Sequence, residues 1–186
     1  LVQTGGSSFS LGGQTIATGS ASSFATASLS GFNGADTSTL GTLPGTATTR
    51  AFIGSGNTFT AGDNNIAVTG ASGTATDTVR IQTGVTGIKM DANIERVELA
   101  GSLSDFKFMT VAGAGTQIQL ATSGAVVATI PSLNQNAVLA FTNGSASLVQ
   151  TGGSSFSLGG QAISTASASS FSTGSLIGFN GADTST

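Results

Sequence analysis

Residues 137–163 read AVLAFTNGSASLVQTGGSSFSLGGQAI. Apolar and polar side chains alternate along this tract with the period of two that turns one face of a strand inward. Ala137 to Thr142 leads into Asn143-Gly144, a pair suited to a type I′ hairpin turn, and alternation resumes from Ser145 to Gln150. A second reversal sits at Gly159-Gly160, between Ser155-Phe156-Ser157-Leu158 and Gln161-Ala162-Ile163. The reading is an antiparallel sheet built from hairpins.

Upstream the pattern continues. Gln117-Ile118-Gln119-Leu120 and Ala125 to Ile130 flank Ser123-Gly124 in a third hairpin, and Pro131 should end its second strand. Phe106-Lys107-Phe108 and Val79-Arg80-Ile81 alternate as well, so residues 79–147 read as a β-meander. Residues 1–78 are rich in Ser, Thr and Gly, with widely spaced Phe, Leu and Ile, and read as short strands joined by loops. The one helical candidate is Asp91 to Val97, where Met90, Ile94 and Val97 would share a helical face. Val97 and Leu99 suit a strand equally well. Strong helix formers are scarce elsewhere, and little helix is expected.

Downstream the tract runs into a duplication. Residues 148–186 repeat residues 1–39 at an offset of 147, with 33 of 39 positions identical. The exchanges are Thr15/Ala162, Ala17/Ser164, Gly19/Ala166, Ala25/Ser172, Ala27/Gly174 and Ser30/Ile177. The large residues are kept, including Phe9/Phe156, Phe24/Phe171, Phe32/Phe179 and Asp36/Asp183. A period of 147 exceeds the roughly 20–50 residues of solenoid repeats and matches one small domain. Residues 1–147 thus form one full repeat unit, and 148–186 begin the next. The pattern is cut at both ends, and we expect a longer polypeptide.

Composition narrows the chemistry. Gly 28, Ala 25, Ser 27 and Thr 28 make up 58% of the 186 residues, with five Lys/Arg, eight Asp/Glu and no His, Cys, Trp or Tyr. The usual zinc, copper, haem and iron–sulfur ligand sets are missing, as are a Ser-His-Asp triad and a thiol nucleophile. Five basic residues are too few to neutralise a run of phosphates, so nucleic acid is not an expected partner. No run approaches the ~18 apolar residues of a membrane span. Val, Ile, Leu and Phe still supply 24% of the chain at a net charge of −3, which favours folding over disorder.

Two groups of residues invite a site. Gly31-Phe32-Asn33-Gly34-Ala35-Asp36-Thr37, repeated at Gly178 to Thr184, partly matches the calcium-binding nonapeptide, whose cation needs about six to eight oxygens. Asp36, Asp183, Asp63 and Asp77 are therefore the candidate metal ligands, with a plain Asn-Gly turn as the alternative reading of the motif. Glu95 and Glu98 form a carboxylate pair, but Arg96 lies between them and Lys89 nearby. A local salt-bridge patch fits better than acid–base catalysis, and no enzymatic role is expected.

The tract from Asn93-Ile94-Glu95-Arg96-Val97-Glu98 through Asp105-Phe106-Lys107-Phe108, continued by Val126 to Ile130 and Ala140 to Gly144, carries a resemblance. It resembles the segment that follows calcium-binding nonapeptide arrays in large secreted bacterial proteins of the RTX type. The resemblance covers residues 79–163 and implies an extracellular or cell-surface protein that serves as adhesin, surface-layer or matrix component. The dense Gly/Asp arrays of those proteins are missing here.

The expected fold is all-β, with hairpin-rich antiparallel sheets in a sandwich-like arrangement, or β-solenoid-like stacking as the alternative, in a tandem array. The expected role is a structural extracellular protein that builds a filament, surface layer or matrix fibre from copies of itself. A spacer in a large adhesin is the alternative. Phe9, Phe24, Phe32, Phe156, Phe171 and Phe179 are the expected assembly residues. The hairpin at Gly159-Gly160 should extend the sheet that ends at Gln150, and later residues should pair with an adjacent unit.

Overall fold

Short alternating runs, separated by loops rich in Gly, Asn and Asp, become strands of two to nine residues. The computed structural model describes residues 2–5, 8–11, 14–16 and 49–185. The chain divides into two compact units, Leu1–Thr42 and Leu43–Thr186. The described part of the first is an antiparallel sheet of β1 (Val2–Gly5), β2 (Ser8–Leu11) and β3 (Gln14–Thr15), in that order.

The second unit begins with β4 (Thr49–Phe52), β5 (Thr58–Ala61), β6 (Ile66–Thr69), β7 (Thr78–Ile81), β8 (Ile88–Met90) and β9 (Arg96–Leu99). Successive strands alternate between two sheets. β4, β6 and β8 stack in parallel in one, and β5, β7 and β9 stack in parallel in the other. Parallel neighbours need a crossover of a dozen or more residues. Residues 53–65, which link β4 to β6, supply it by spending their middle as β5 of the opposite sheet. The result is a flattened β-coil with two strands per turn.

A 3₁₀ turn (Leu103–Asp105) then leads to β10 (Phe106–Val111), β11 (Gly115–Leu120) and β12 (Val126–Ile130). These form an antiparallel meander whose last strand lies parallel to β8. The chain crosses back as β13 (Ala137–Phe141), parallel to β9, and continues through β14 (Gly144–Gly152), β15 (Ser155–Leu158) and β16 (Gln161–Ala162) as antiparallel hairpins. The two mixed sheets have the orders β10-β11-β12-β8-β6-β4 and β16-β15-β14-β13-β9-β7-β5.

The all-β expectation holds: the described residues contain no α-helix, only the 3₁₀ turns Leu103–Asp105 and Thr173–Ser175. Both expected arrangements occur, coil-like stacking over 49–99 and hairpins over 106–162. The single meander expected over 79–147 is corrected, because β8, β9 and β13 lie parallel to their neighbours in two different sheets. The helical candidate at Asp91 to Val97 is a turn followed by β9. Burying both Val97 and Leu99 between the sheets uses the strand period of two, not the helical one.

The core lies between the sheets. Phe59, Val79, Val97 and Leu139 form one inward row across four parallel strands, and Val68 and Met90 are paired inward from the other sheet. Phe108 and Phe141 are wholly buried and meet edge to face with ring centres 6.3 Å apart. Thr110 and Thr116, paired across β10 and β11, are also buried, and neither hydroxyl has a protein hydrogen-bond partner. Thr116→Val keeps the shape and removes an unsatisfied hydroxyl, and is expected to raise stability by about 1 kcal/mol. Urea unfolding checks this; a destabilised variant would show that the hydroxyl is satisfied in solution.

The hairpin joining β13 and β14 differs in detail from expectation. Phe141 pairs with Gly144, so the turn residues are Thr142-Asn143. Asn65 is the sole described non-glycine with positive φ, so neither turn residue adopts the left-handed geometry of a type I′ turn. Asn143 is instead held by its side chain, whose Oδ1 accepts the Leu103 N–H at 3.0 Å. Gly159-Gly160 does turn as expected, with φ of +49° and +76°.

Candidate functional site

The segment 148–186 closes one end of the second unit. Its first part extends the seven-stranded sheet: β14 crosses the repeat boundary between Ser147 and Leu148 without a break, then β15 and β16 add to it. Next it reaches the other sheet, where Ser169 and Phe108 exchange two backbone hydrogen bonds of 2.9 and 3.0 Å and Thr110 donates to the Ser164 carbonyl. It then returns, as Ile177 donates to the Gly159 carbonyl and Asn180 and Ser145 exchange two bonds of 2.9 Å. Finally Ser185 N–H donates to Phe141 O, and its hydroxyl donates to Leu99 O at 2.7 Å. A clasp that bonds to both sheets covers the core where they would otherwise part.

Apolar anchors hold the clasp in its seat. Phe156, Leu158, Ile163 and Leu176 are buried, each worth about 1.5–3 kcal/mol relative to exposure. Phe171 stacks at 5.7 Å on Phe108, and Phe179 lies directly over Gly144. A Cβ at Gly144 would come within 2.5 Å of the Phe179 ring, so a glycine is needed there.

An ion-pair latch completes the seat. Asp183 takes both terminal nitrogens of Arg96, at 3.0 and 2.8 Å, and accepts the Ser145 hydroxyl at 2.7 Å. Arg96 Nε turns to Glu98 at 2.9 Å, and Arg80 Nε reaches the other oxygen of Glu98 at 2.7 Å. Arg80 and Glu98 are register neighbours on parallel strands, which sets their side chains one strand spacing apart. Hydrogen bonds from Arg96 and Ser145 hold the Asp183 carboxyl below the ordinary aspartate range, and its bond raises the Arg96 guanidinium in turn. Burial pushes Glu98 up, but the bonds from Arg96 and Arg80 outweigh it and leave the carboxyl below its usual value.

A group depressed on folding stabilises the fold fully above its unfolded value and loses that contribution as pH falls through the folded one. The latch should therefore weaken on acidification below the ordinary aspartate value of 3.8. Thermal melts from neutral to strongly acidic pH check this: Asp183→Asn should lower the melting temperature at neutral pH and flatten its fall in acid. Parallel curves would disconnect Asp183 from acid stability.

Among the described residues the candidate metal ligands are not brought together. Asp183 is spent on the latch, and Asn180 forms a turn in which its Oδ1 accepts the Ala182 N–H. Asp77, fully buried, accepts Gly56 N–H and Ala71 N–H, both at 2.6 Å, while its own N–H donates to Glu95 Oε2 at 2.7 Å. Asp63 stands in an exposed turn, and Asp36 lies outside the described residues. Among the described residues no three acidic side chains gather in one place. The oxygens of Asp183 and Asp77 thus bind protein donors. Glu95 and Glu98 are likewise engaged, as the salt-bridge reading expected of Glu98.

The Phe assignments divide. Phe156, Phe171 and Phe179 pack against the core of the same chain. Phe24 and Phe32 lie outside the described residues, as does the Phe9 side chain. Sequence reasoning missed the Arg96–Asp183 latch, and its available signal was an Asp kept in both copies of the duplication in a chain with only five cations. Beside the latch an open groove of about 740 Å³ is lined by Thr60, Arg80, Gln82, Glu98, Thr142 and Ser185.

No family model matches the chain, and no curated protein or solved structure shows significant similarity to it.

Proposed function

We propose that the protein is a structural, extracellular tandem-repeat protein whose units build a filament, surface layer or matrix fibre. The observation that carries this reading is the phase of the fold against the repeat. The compact unit Leu43–Thr186 combines the later part of one repeat with the segment that opens the next. Because β14 runs through the repeat boundary, neighbouring repeats share a strand and have no linker at that point. Tension along such an array is borne by sheet hydrogen bonds on both sides of each boundary. Low charge lets units approach without repulsion, and the likeness of 79–163 to RTX-type surface proteins supports a place outside the cell.

One observation favours the second reading, a spacer in a large adhesin. The clasp bonds turn back onto the unit that precedes them, which suits self-contained beads. Electron microscopy of a chain of several repeats decides between the two. Regular lateral or end-to-end fibres are expected; separate beads on a thread would replace the fibre reading with the spacer.

A further inference from the structure

We propose that the outer face of the six-stranded sheet binds an acidic polysaccharide. Its carboxylates meet Arg50, Lys89 and Lys107, and its sugar rings meet Phe52, Thr129 and Gln117. The proposal goes beyond the structural role, concerns a single unit, and stands whether units assemble as fibres or as beads.

Charge is divided unevenly between the two sheets. Strands β4, β6, β8, β10, β11 and β12 carry Arg50, Lys89 and Lys107, and no Asp or Glu. These are three of the chain's five cations. The other two, Arg80 and Arg96, lie on the opposite sheet and are bound to Glu98 and Asp183. The acids nearest Lys89 and Lys107 in sequence are engaged in their own loops. Asp91 accepts the Gly70 and Asn93 N–H groups, and Asp105 accepts the Ser102 N–H and hydroxyl. Asp63 stands in the turn between β5 and β6, off the strands. A chain of net charge −3 thus presents one face of the opposite sign.

All three cations turn outward, since their strand neighbours turn inward. Lys89 sits between buried Ile88 and Met90, Lys107 between buried Phe106 and Phe108, and Arg50 beside Ala51, which packs on the core. Lys89 is in register with Ala67 and Arg50 on one side, and with Thr129 and Gln117 on the other. Arg50 and Lys89 are therefore two strand spacings apart, about 9.6 Å, and the face from β4 to β10 measures about 24 Å.

A hollow of about 290 Å³ opens on this row, lined by Lys89, Thr129 and Gln117 together with Gly113, Ala114 and Pro131. An ammonium, a hydroxyl and an amide in one small hollow suit a carboxylate and the sugar hydroxyls beside it. Phe52, 60% exposed, lies two residues from Arg50 on the same face. The C–H side of a sugar ring packs on the negative face of such an aromatic ring. Duplex DNA fits this face less well, since it carries a charge about every 1.7 Å, far denser than three cations spread over six strands. An acidic glycan carries its charges sparsely, with hydroxyls between them.

Beads carrying polygalacturonate, dextran or duplex DNA test this with the full chain at about 50 mM salt, where screening is weak. Protein and polymer are both anionic, so net charge opposes retention and binding must come from a local face. Retention on polygalacturonate is expected, with release at high salt, little retention on dextran and weaker retention on DNA. Lys89→Ala should weaken binding roughly fivefold or more, and Lys89→Glu should abolish it. Thr129→Val and Phe52→Ala leave the charge unchanged and should each weaken binding about two- to threefold. Unchanged affinity in both would reduce the contact to charge alone and overturn the glycan assignment. No retention on polygalacturonate, equal retention on dextran or DNA, or an unaltered Lys89→Ala variant overturns the proposal. If Lys89→Ala does not fold, the double variant Arg50→Ala with Lys107→Ala takes its place, with the same outcomes.

Discussion

Phe108→Ala should lower stability by about 3–5 kcal/mol, the range for a fully buried phenylalanine truncated in a packed core. Phe108 is 0% exposed on β10 and meets Phe141 of the opposite sheet as well as Phe171 of the clasp. Truncation therefore empties the point where both sheets and the clasp converge. Phe171→Ala should cost less, since that ring is only half-buried, and the two losses should fall short of additive because they share one contact. Phe52, 60% exposed on β4, is the control and should change stability by less than about 0.5 kcal/mol. Urea unfolding of the four variants gives the values. A loss below about 1 kcal/mol at Phe108 would place its ring outside the core.

Asp77→Ala should cost about 2–4 kcal/mol, because two backbone N–H groups lose a charged acceptor and are left unpaired. Those groups, on Gly56 and Ala71, belong to different loops of the coil, and the Asp77 N–H passes the pattern on to Glu95. The carboxylates thus climb from turn to turn along the inside of the loops. Asp77→Asn retains one acceptor oxygen but turns an amide donor toward the other N–H, so it should recover only part of the loss. Hydrogen exchange at Gly56 and Ala71 distinguishes this from general destabilisation, as both amides should lose protection first in Asp77→Ala. Unchanged protection there would remove Asp77 as their acceptor.

Strand positions were legible because alternation reports which side chains turn inward, and the Gly159-Gly160 turn because two residues in a row need positive φ. Strand direction was not. Val79-Arg80-Ile81 alternates identically whether its neighbour runs with it or against it, and only the intervening strand in the other sheet makes the parallel stack possible. The latch was hidden for a different reason. Arg96 and Asp183 are 87 residues apart, and a carboxylate that accepts a guanidinium reads in sequence like one that binds calcium. Asn143-Gly144 misled by one residue, because the glycine serves the Phe179 ring and not the turn. The segment 148–186 was recognised as a copy, but a copy shows what recurs and not which neighbour it embraces.

The position of the clasp frees the opposite end of the coil to vary. Its described hydrogen bonds to the body land on Arg96, Leu99, Phe108, Thr110, Leu133, Phe141, Ser145 and Ser147, all at or beyond β9. Strands β4 to β8 receive none of those bonds. An inserted turn of 17 to 22 residues, the spacing between Thr49 and Ile66 or between Ala67 and Lys89, would lengthen the unit by one strand spacing of about 4.8 Å and leave the clasp undisturbed. Descendants of this chain could differ in girth number, the count of windings per unit, while keeping the same clasp.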